Sequence, residues 1–280
     1  MKFMHLGGIR EPGLATLFLA SCRDPWSSPV MTEPTERIAK RIARAGIASR
    51  RDAEKLITAG NVTVNGARID SPALNVSATD RISVNGKTLP EAAPTRLWRY
   101  HKPTGLVTTA RDEKGRKTVF DTLPAELGRV MSVGRLDLNS EGLLLLTNDG
   151  ELKRRLELPT TGWLRKYRVR VKGVVDDASL EKLRRGIKVD GEAFRPMSVA
   201  FDQQRGANAW LTIGLREGKN REIRRALSTI GLDVNRLLRV SYGPFQLLDL
   251  AHGDVVEVPA RVIREQVGGD RVKPHPKPGR

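Results

Sequence analysis

GRLDLNSEGLLLLTNDG, residues 134–150, decides how the chain is read. Leu143 to Leu146 are successive apolar residues bounded by Gly142 and Asn148. An apolar run of that length, without alternation, is the pattern of a short strand buried on both faces. The preceding Gly-Arg-Leu-Asp turn then carries Asp137 on a loop anchored to the core, not on a surface tail. Arg135, two residues earlier, can hold that carboxylate ionised, the state a nucleophile needs. An ordinary aspartate in a strand–turn–strand connection accounts for the same residues, and on local chemistry alone it is the simpler account.

On either side of this stretch, from Leu97 to about Gln266, short strands and helices alternate densely. Lys166 to Val171 has period two: Tyr167, Val169 and Val171 face one way, Lys166, Arg168 and Arg170 the other. Leu211, Ile213 and Leu215 repeat the pattern. Helices are predicted over 149–157, 177–185 and 220–230. This order implies an α+β domain over residues 97–267, a mainly antiparallel mixed sheet flanked by helices. On a wheel for the last of these helices, Ile223, Ala226, Leu227 and Ile230 share the core face. Arg221 and Arg225 lie opposite, toward solvent or a bound polyanion. Arg224 lies at the border, where its guanidinium can reach a carboxylate in a cleft or snorkel to water.

Residues 34–92 form a second, smaller unit. Ile38, Ala39, Ile42 and Ala43 fall at helical spacing and Gly46 ends that helix; Ser49 caps the next, with Asp52 as capping-box partner, and Gly60 closes it. Val62-Thr63-Val64 turns at Asn65-Gly66, and Ile82-Ser83-Val84 turns at Asn85-Gly86. From Glu36 to Arg51 the basic residues are Arg37, Lys40, Arg41, Arg44, Arg50 and Arg51, and Glu36 is the one acid. A solvated helix face is the ordinary reading of such a run. The shortage of acids for i,i+4 pairs favours a phosphate-contacting face instead. Pro90 to Pro94 is the boundary between the units.

The whole chain of 280 residues carries 49 Lys and Arg against 32 Asp and Glu, a net charge of +17. That balance calls for a polyanionic partner, most simply nucleic acid. No stretch approaches the ~18 apolar residues of a spanning helix, so no membrane role is expected. Cys22 is the lone cysteine, and His5, His101, His252 and His275 are scattered, so no metal cluster is expected. Gly86-Lys87-Thr88 ends like a phosphate loop, but Arg81 stands where its first glycine is required.

Leu14 to Cys22 is a short apolar run ending in Leu19-Ala20-Ser21-Cys22, a lipoprotein-like cleavage site. Glu11-Pro12 shortens it to the low end of a signal core. Met31 stands just before the first patterned helix, so residues 1–33 read as a disordered extension or a misassigned start, and the protein as cytoplasmic. Residues 268–280, rich in Gly, Pro and basic residues, read as a disordered tail.

Two resemblances follow. ERIAKRIARAGIASRRDAEKLITAGNVTVNG resembles the S4-type RNA-binding domain, which implies that Arg37, Arg41, Arg44, Arg50 and Arg51 grip structured RNA. The 134–150 stretch, KYRVRVKG at 166–173, EGKNREIRRAL at 217–227 and RVSYGPF at 239–245 together resemble the RsuA/RluB branch of ribosomal RNA pseudouridine synthases. By that resemblance Asp137 is the catalytic aspartate, Tyr167 packs on the target base, Arg224 pairs with the aspartate, and Arg135 lies near the substrate backbone. Glu222 departs from the Gln of many relatives and is expected to point outward.

The implied reaction detaches uracil from ribose at nitrogen, rotates it and rejoins it through carbon. An isomerisation of this kind needs no cofactor and no metal. The implied partner is ribosomal RNA or a pre-ribosomal particle, large-subunit RNA fitting better than small-subunit or transfer RNA, with the protein acting as a monomer. Two rivals remain at this stage. One is a non-catalytic RNA-binding assembly factor. The other is a glycoside hydrolase using Asp137 with Glu141, against which six Phe, four Trp and three Tyr are few for a sugar groove.

Overall fold

Residues 35–268 are described by a computed structural model, so the readings of residues 1–33 and of the tail beyond Gly268 lie outside them. In the amino-terminal module, α1 (Ile38–Arg44) and α2 (Arg50–Thr58) pack through Ile38, Ile42, Ala53 and Ile57, all fully buried. The Ser49 hydroxyl accepts from the Asp52 amide at 3.1 Å and so caps α2. Strands β1 (Val62–Val64), β2 (Ala67–Ile69), β3 (Ile82–Val84) and β4 (Lys87–Thr88) form one antiparallel sheet in the order β2-β1-β3-β4. Its two hairpins turn at Asn65-Gly66 and Asn85-Gly86, with positive φ at all four residues.

The larger unit is built on a nine-stranded sheet. Its strands include β5 (Leu97–Lys102), β6 (Met131–Val133), β7 (Glu141–Thr147), β8 (Arg165–Lys172), β9 (Ser198–Arg205), β10 (Asn208–Leu215), β11 (Asp233–Tyr242) and β12 (Val255–Glu257). The path runs β9-β10-β8-β11-β7-β5-β12, with β6 also paired to β7. Every pairing is antiparallel except β11 with β7. The fold is α+β, with α4 (Asp177–Arg185) and α5 (Glu222–Thr229) on one face, and α3 (Gly150–Glu157) and α6 (Ala260–Val267) behind part of the other.

The leucine run sits where the sequence reading puts it. Leu144 and Leu146 pack into the core beneath α4 and α5, Leu143 and Leu145 into a separate core with α3 and α6, and all four are fully buried. One edge of β7 is shared by two partners: β11 pairs at Glu141 and Gly142, β6 at Leu145 to Thr147. The loop 134–140 leaves the sheet where one partner gives way to the other. Gly142 makes that crossing possible, because its φ is 103° and a Cβ there would collide with the backbone of Arg239 on β11.

Candidate active site

Loop 134–140 is held through its backbone at Gly134, Leu136, Asp137, Leu138, Asn139 and Ser140. Thr108 Oγ1 donates to the Leu136 carbonyl at 2.8 Å, and the Gly105 amide to that of Leu138 at 2.8 Å. Glu157 accepts from the Gly134 amide at 2.6 Å. Beneath the loop lies Lys102, at the end of β5 and 0% exposed. Its Nζ donates to the carbonyls of Pro103 (2.9 Å), Asp137 (3.2 Å) and Ser140 (2.9 Å). Burial lowers this ammonium to about 8, while Asp137 and Glu141 pull the other way. Among the described residues no hydrogen bond or ion pair within 4.0 Å ends on the Asp137 carboxylate. The loop is thus fixed while its carboxylate has no partner among the described residues.

That carboxylate lines a cleft of about 1330 Å³. Arg135, Tyr167, Arg221 and Glu222 line it too, with Arg111, Arg129, Lys153, Arg165, Lys219 and Arg239, so the walls are predominantly cationic. Tyr167 is 9% exposed and stands on β8 directly across from Arg239 on β11. Arg239 is fully buried, donates through Nε to the Leu143 carbonyl at 2.7 Å, and lies 5.3 Å from the Tyr242 ring centre. Its Nη2 has no partner among the described residues. Arg239 lies in RVSYGPF, but nothing local in that motif marks it as buried. Lys102 was equally invisible, because only the fold turns a strand-end lysine beneath the loop.

Arg224 comes to the right loop but not to the carboxylate. Its guanidinium donates to the carbonyls of Asn139 and Val234, both at 2.9 Å. Among the described residues no ion pair within 4.0 Å joins it to Asp137, so the expected contact is not formed here. Asp137 is still near enough to favour the charge of Arg224, against its burial and the like charge of Arg221.

Glu222 corrects the sequence reading: it is 4% exposed, not turned to water. The reason is where the helix starts. Arg221 adopts a left-handed φ of 47°, so α5 opens at Glu222 rather than Asn220. The Glu222 side chain folds back to accept from the Lys219 amide at 3.0 Å. Burial, with Glu217 beside it, raises its carboxyl to about 7.

The remaining arginines divide. Arg221 is exposed at the cleft rim, but Arg225 is half-buried, paired with Glu192 at 2.7 Å and Asp190 at 3.3 Å. In the small module Lys40 and Arg41 lie 3.7 and 3.6 Å from Glu36, and Arg44 is paired with the same carboxylate. One acid therefore serves three cations, which the shortage of acids in the sequence did not suggest. Arg37 donates to the Ala73 carbonyl at 2.6 Å, whereas Arg50 and Arg51 are exposed with no ion pair among the described residues. Lys40 also reaches Glu151 on α3, and Arg129 of the cleft wall donates to the Ala43 carbonyl at 3.4 Å. The module thus adjoins the cleft.

The histidines are less scattered than their spacing implies. His101 and His252 stack with ring centres 4.0 Å apart, and together with Glu141 they bring ligand-type atoms within 4.8 Å of one another. Arg236 already neutralises Glu141, so a cation there would compete with a fixed guanidinium.

Residues 96–229 match the RNA pseudouridylate synthase family and residues 36–82 the S4 domain. An uncharacterized RNA pseudouridine synthase of Rickettsia conorii is 47% identical over 227 residues, 81% of this chain and 98% of that one. The chain belongs to the RNA pseudouridine synthases. The family places the loop and its cleft in context, since its members isomerise uridine in RNA. A ribosomal large subunit pseudouridine synthase B of Shigella flexneri is 42% identical over 220 residues, 76% of each chain. A crystal structure of a pseudouridylate synthase superposes with a TM-score of 0.58 at 26% identity, covering 82% of this chain and 99% of that one. This pseudouridine synthase has, among its described residues, no helix long and apolar enough to cross a membrane.

Proposed function

We propose that this pseudouridine synthase isomerises a uridine of large-subunit ribosomal RNA and that Asp137 is its catalytic carboxylate. One observation supports the assignment of Asp137: it is the one carboxylate of a loop anchored through its backbone, and it lines a cationic cleft with no hydrogen bond or ion pair among the described residues. The relatives named as large-subunit enzymes support the choice of RNA.

Reaching the reacting atoms requires the uridine to leave its stack, at a cost of roughly a few kcal/mol. Tyr167, on the cleft floor, restores part of that stacking, worth ~1–3 kcal/mol per base. The glycosidic N–C bond breaks, the uracil turns, and a C–C bond forms from its carbon 5, which gives up a proton while the freed ring nitrogen takes one up. Asp137 acts on the sugar as nucleophile or as base, and both roles need it ionised. Arg135 at the rim takes the substrate backbone. Arg224 is a positioning residue that holds the loop through Asn139 and adds positive potential near the carboxylate. Arg50 and Arg51 of the S4 domain supply affinity by neutralising phosphates. The proposal includes a monomeric enzyme of the cytoplasm, which gel filtration and cell fractionation check.

The test is tritium release from uridine-labelled ribosomal RNA, with the product mapped. Asp137→Asn is expected to abolish turnover while filter binding of the RNA is retained. Activity within tenfold of wild type would sink the assignment of Asp137, and pseudouridine found in transfer RNA instead would sink the choice of substrate.

A further inference from the structure

Strand β8 carries two faces of opposite character. Tyr167, Val169 and Val171 are buried beneath α4 and α5, on the side of the cleft. Lys166, Arg168, Arg170 and Lys172 stand exposed on the reverse side. Behind β7, helices α3 and α6 fill that side, but they do not reach these four residues.

None of the four cations makes an ion pair among the described residues. The Arg168 guanidinium lies 5.0 Å from the ring centre of Trp210 on β10, and Arg170 donates to Asn235 Oδ1 at 3.2 Å. Arg170 is also the direct cross-strand partner of Arg236 on β11, a like-charge placement that a neighbouring anion relieves. Glu141 meets Arg236 but not Arg170. Of the acids toward this side, Asp202 accepts from Thr212 at 3.0 Å, and Asp233 stands opposite Lys172 without an ion pair. The four strand cations outnumber these two carboxylates, so the face keeps a net positive charge.

We propose that this reverse face binds a second segment of RNA, distinct from the segment whose uridine enters the cleft. The inference rests on the reading above, in which the substrate is a large folded RNA able to contact the protein on two sides. Side chains two residues apart on a strand stand about 6–7 Å apart, a pitch that suits successive phosphates of one strand. The stacked Arg168 and Trp210 present a flat cationic surface on which a base can lie. Charge argues against the chain's own tail as occupant, because Arg271, Lys273, Lys277 and Arg280 would be repelled.

The variant R168Q/R170Q tests the face. Both positions are exposed and away from the cleft, so thermal melting is expected to match wild type. Binding is measured across a salt series for two probes, a long fragment of large-subunit ribosomal RNA and a short RNA hairpin. The variant is expected to bind the long fragment about tenfold more weakly, with a log–log salt slope shallower by ~1–2. Hairpin binding is expected to be unchanged. Equal affinity and slope for the long fragment would overturn the proposal. So would an equal loss for both probes, which would mark the charges as general attraction, not a second contact. Isomerisation is followed separately, so its absence would strike the functional reading while the binding data still decide this one.

Discussion

Strands β7 and β8 lie in one sheet, separated by β11, yet they answer to different surroundings. Every residue of β7 is buried, its leucines divided between two cores. Strand β8 buries alternate residues and gives the others to solvent. The difference was written in the residues: LLLL has no polar face to expose, whereas YRVRV has one at every second position. It also decides where the chemistry sits. The doubly buried strand is the rigid post from which the Asp137 loop projects. The half-buried strand lends one side, Tyr167, to the cleft and keeps its cations for the other.

The comparison can be broken by truncation on each face. Leu144→Ala and Leu145→Ala are both expected to cost ~2–5 kcal/mol in urea unfolding, since each empties a core on its own side of β7. Arg168→Ala on β8 is expected to stay within ~0.5 kcal/mol of wild type. A harmless truncation on either face of β7 would show that one of its cores is not close-packed.

Lys102 links the rigid post to the reaction. Replacement by Met keeps much of the stem but frees three carbonyls, those of Pro103, Asp137 and Ser140. The loop then loses its seat, and a displacement near 1 Å costs on the order of 10²-fold in rate. The expected result is a fall in kcat of that size with RNA affinity close to wild type. An unchanged kcat would show that the other anchors suffice.

Glu222 sharpens the contrast through pH. Its carboxyl is held at about 7 against an ordinary 4.5, so the folded protein keeps this proton more tightly than the unfolded chain. The resulting stabilisation is complete below the unfolded value and lost as pH rises from about 4.5 to 7. Glu222→Gln removes that loss. The variant is expected to match wild type near the low end of the window and to exceed it by ~1–3 kcal/mol above the high end. Parallel stability–pH curves for the two proteins would refute the raised value.

The smallest effect concerns the two arginine groups of the S4 domain. Arg50 and Arg51 have no ion pair among the described residues, whereas Arg41 and Arg44 share Glu36. Arg50→Gln with Arg51→Gln is therefore expected to flatten the salt dependence of RNA binding by ~1–2 in slope, and Arg41→Gln with Arg44→Gln by less. The reverse order would mean that RNA displaces Glu36.

Much of the architecture was legible without coordinates, because its signals are local. Period two in 166–171, the apolar run at 143–146, the Asn-Gly turns and the Ser49 cap each depend on residues a few positions apart. The start of α5 was not legible, since the wheel assumes helical φ at Arg221, where the chain is left-handed. That one residue turned Glu222 from an exposed acid into a buried one.

The sequence by itself determined an α+β fold with a carboxylate on a core-anchored loop, a basic surface and a strand with two unlike faces, while the enzyme reading came from the family resemblance. Patterns of apolarity and charge carry that information along the chain. Only the tertiary structure decided which long-range partners those groups meet: Lys102 beneath the loop, Arg224 on Asn139 rather than on Asp137, and Arg225 spent on Glu192. Such pairings join residues tens of positions apart, and a buried cation takes whichever carbonyl or carboxylate the fold brings within reach, a choice no local pattern encodes.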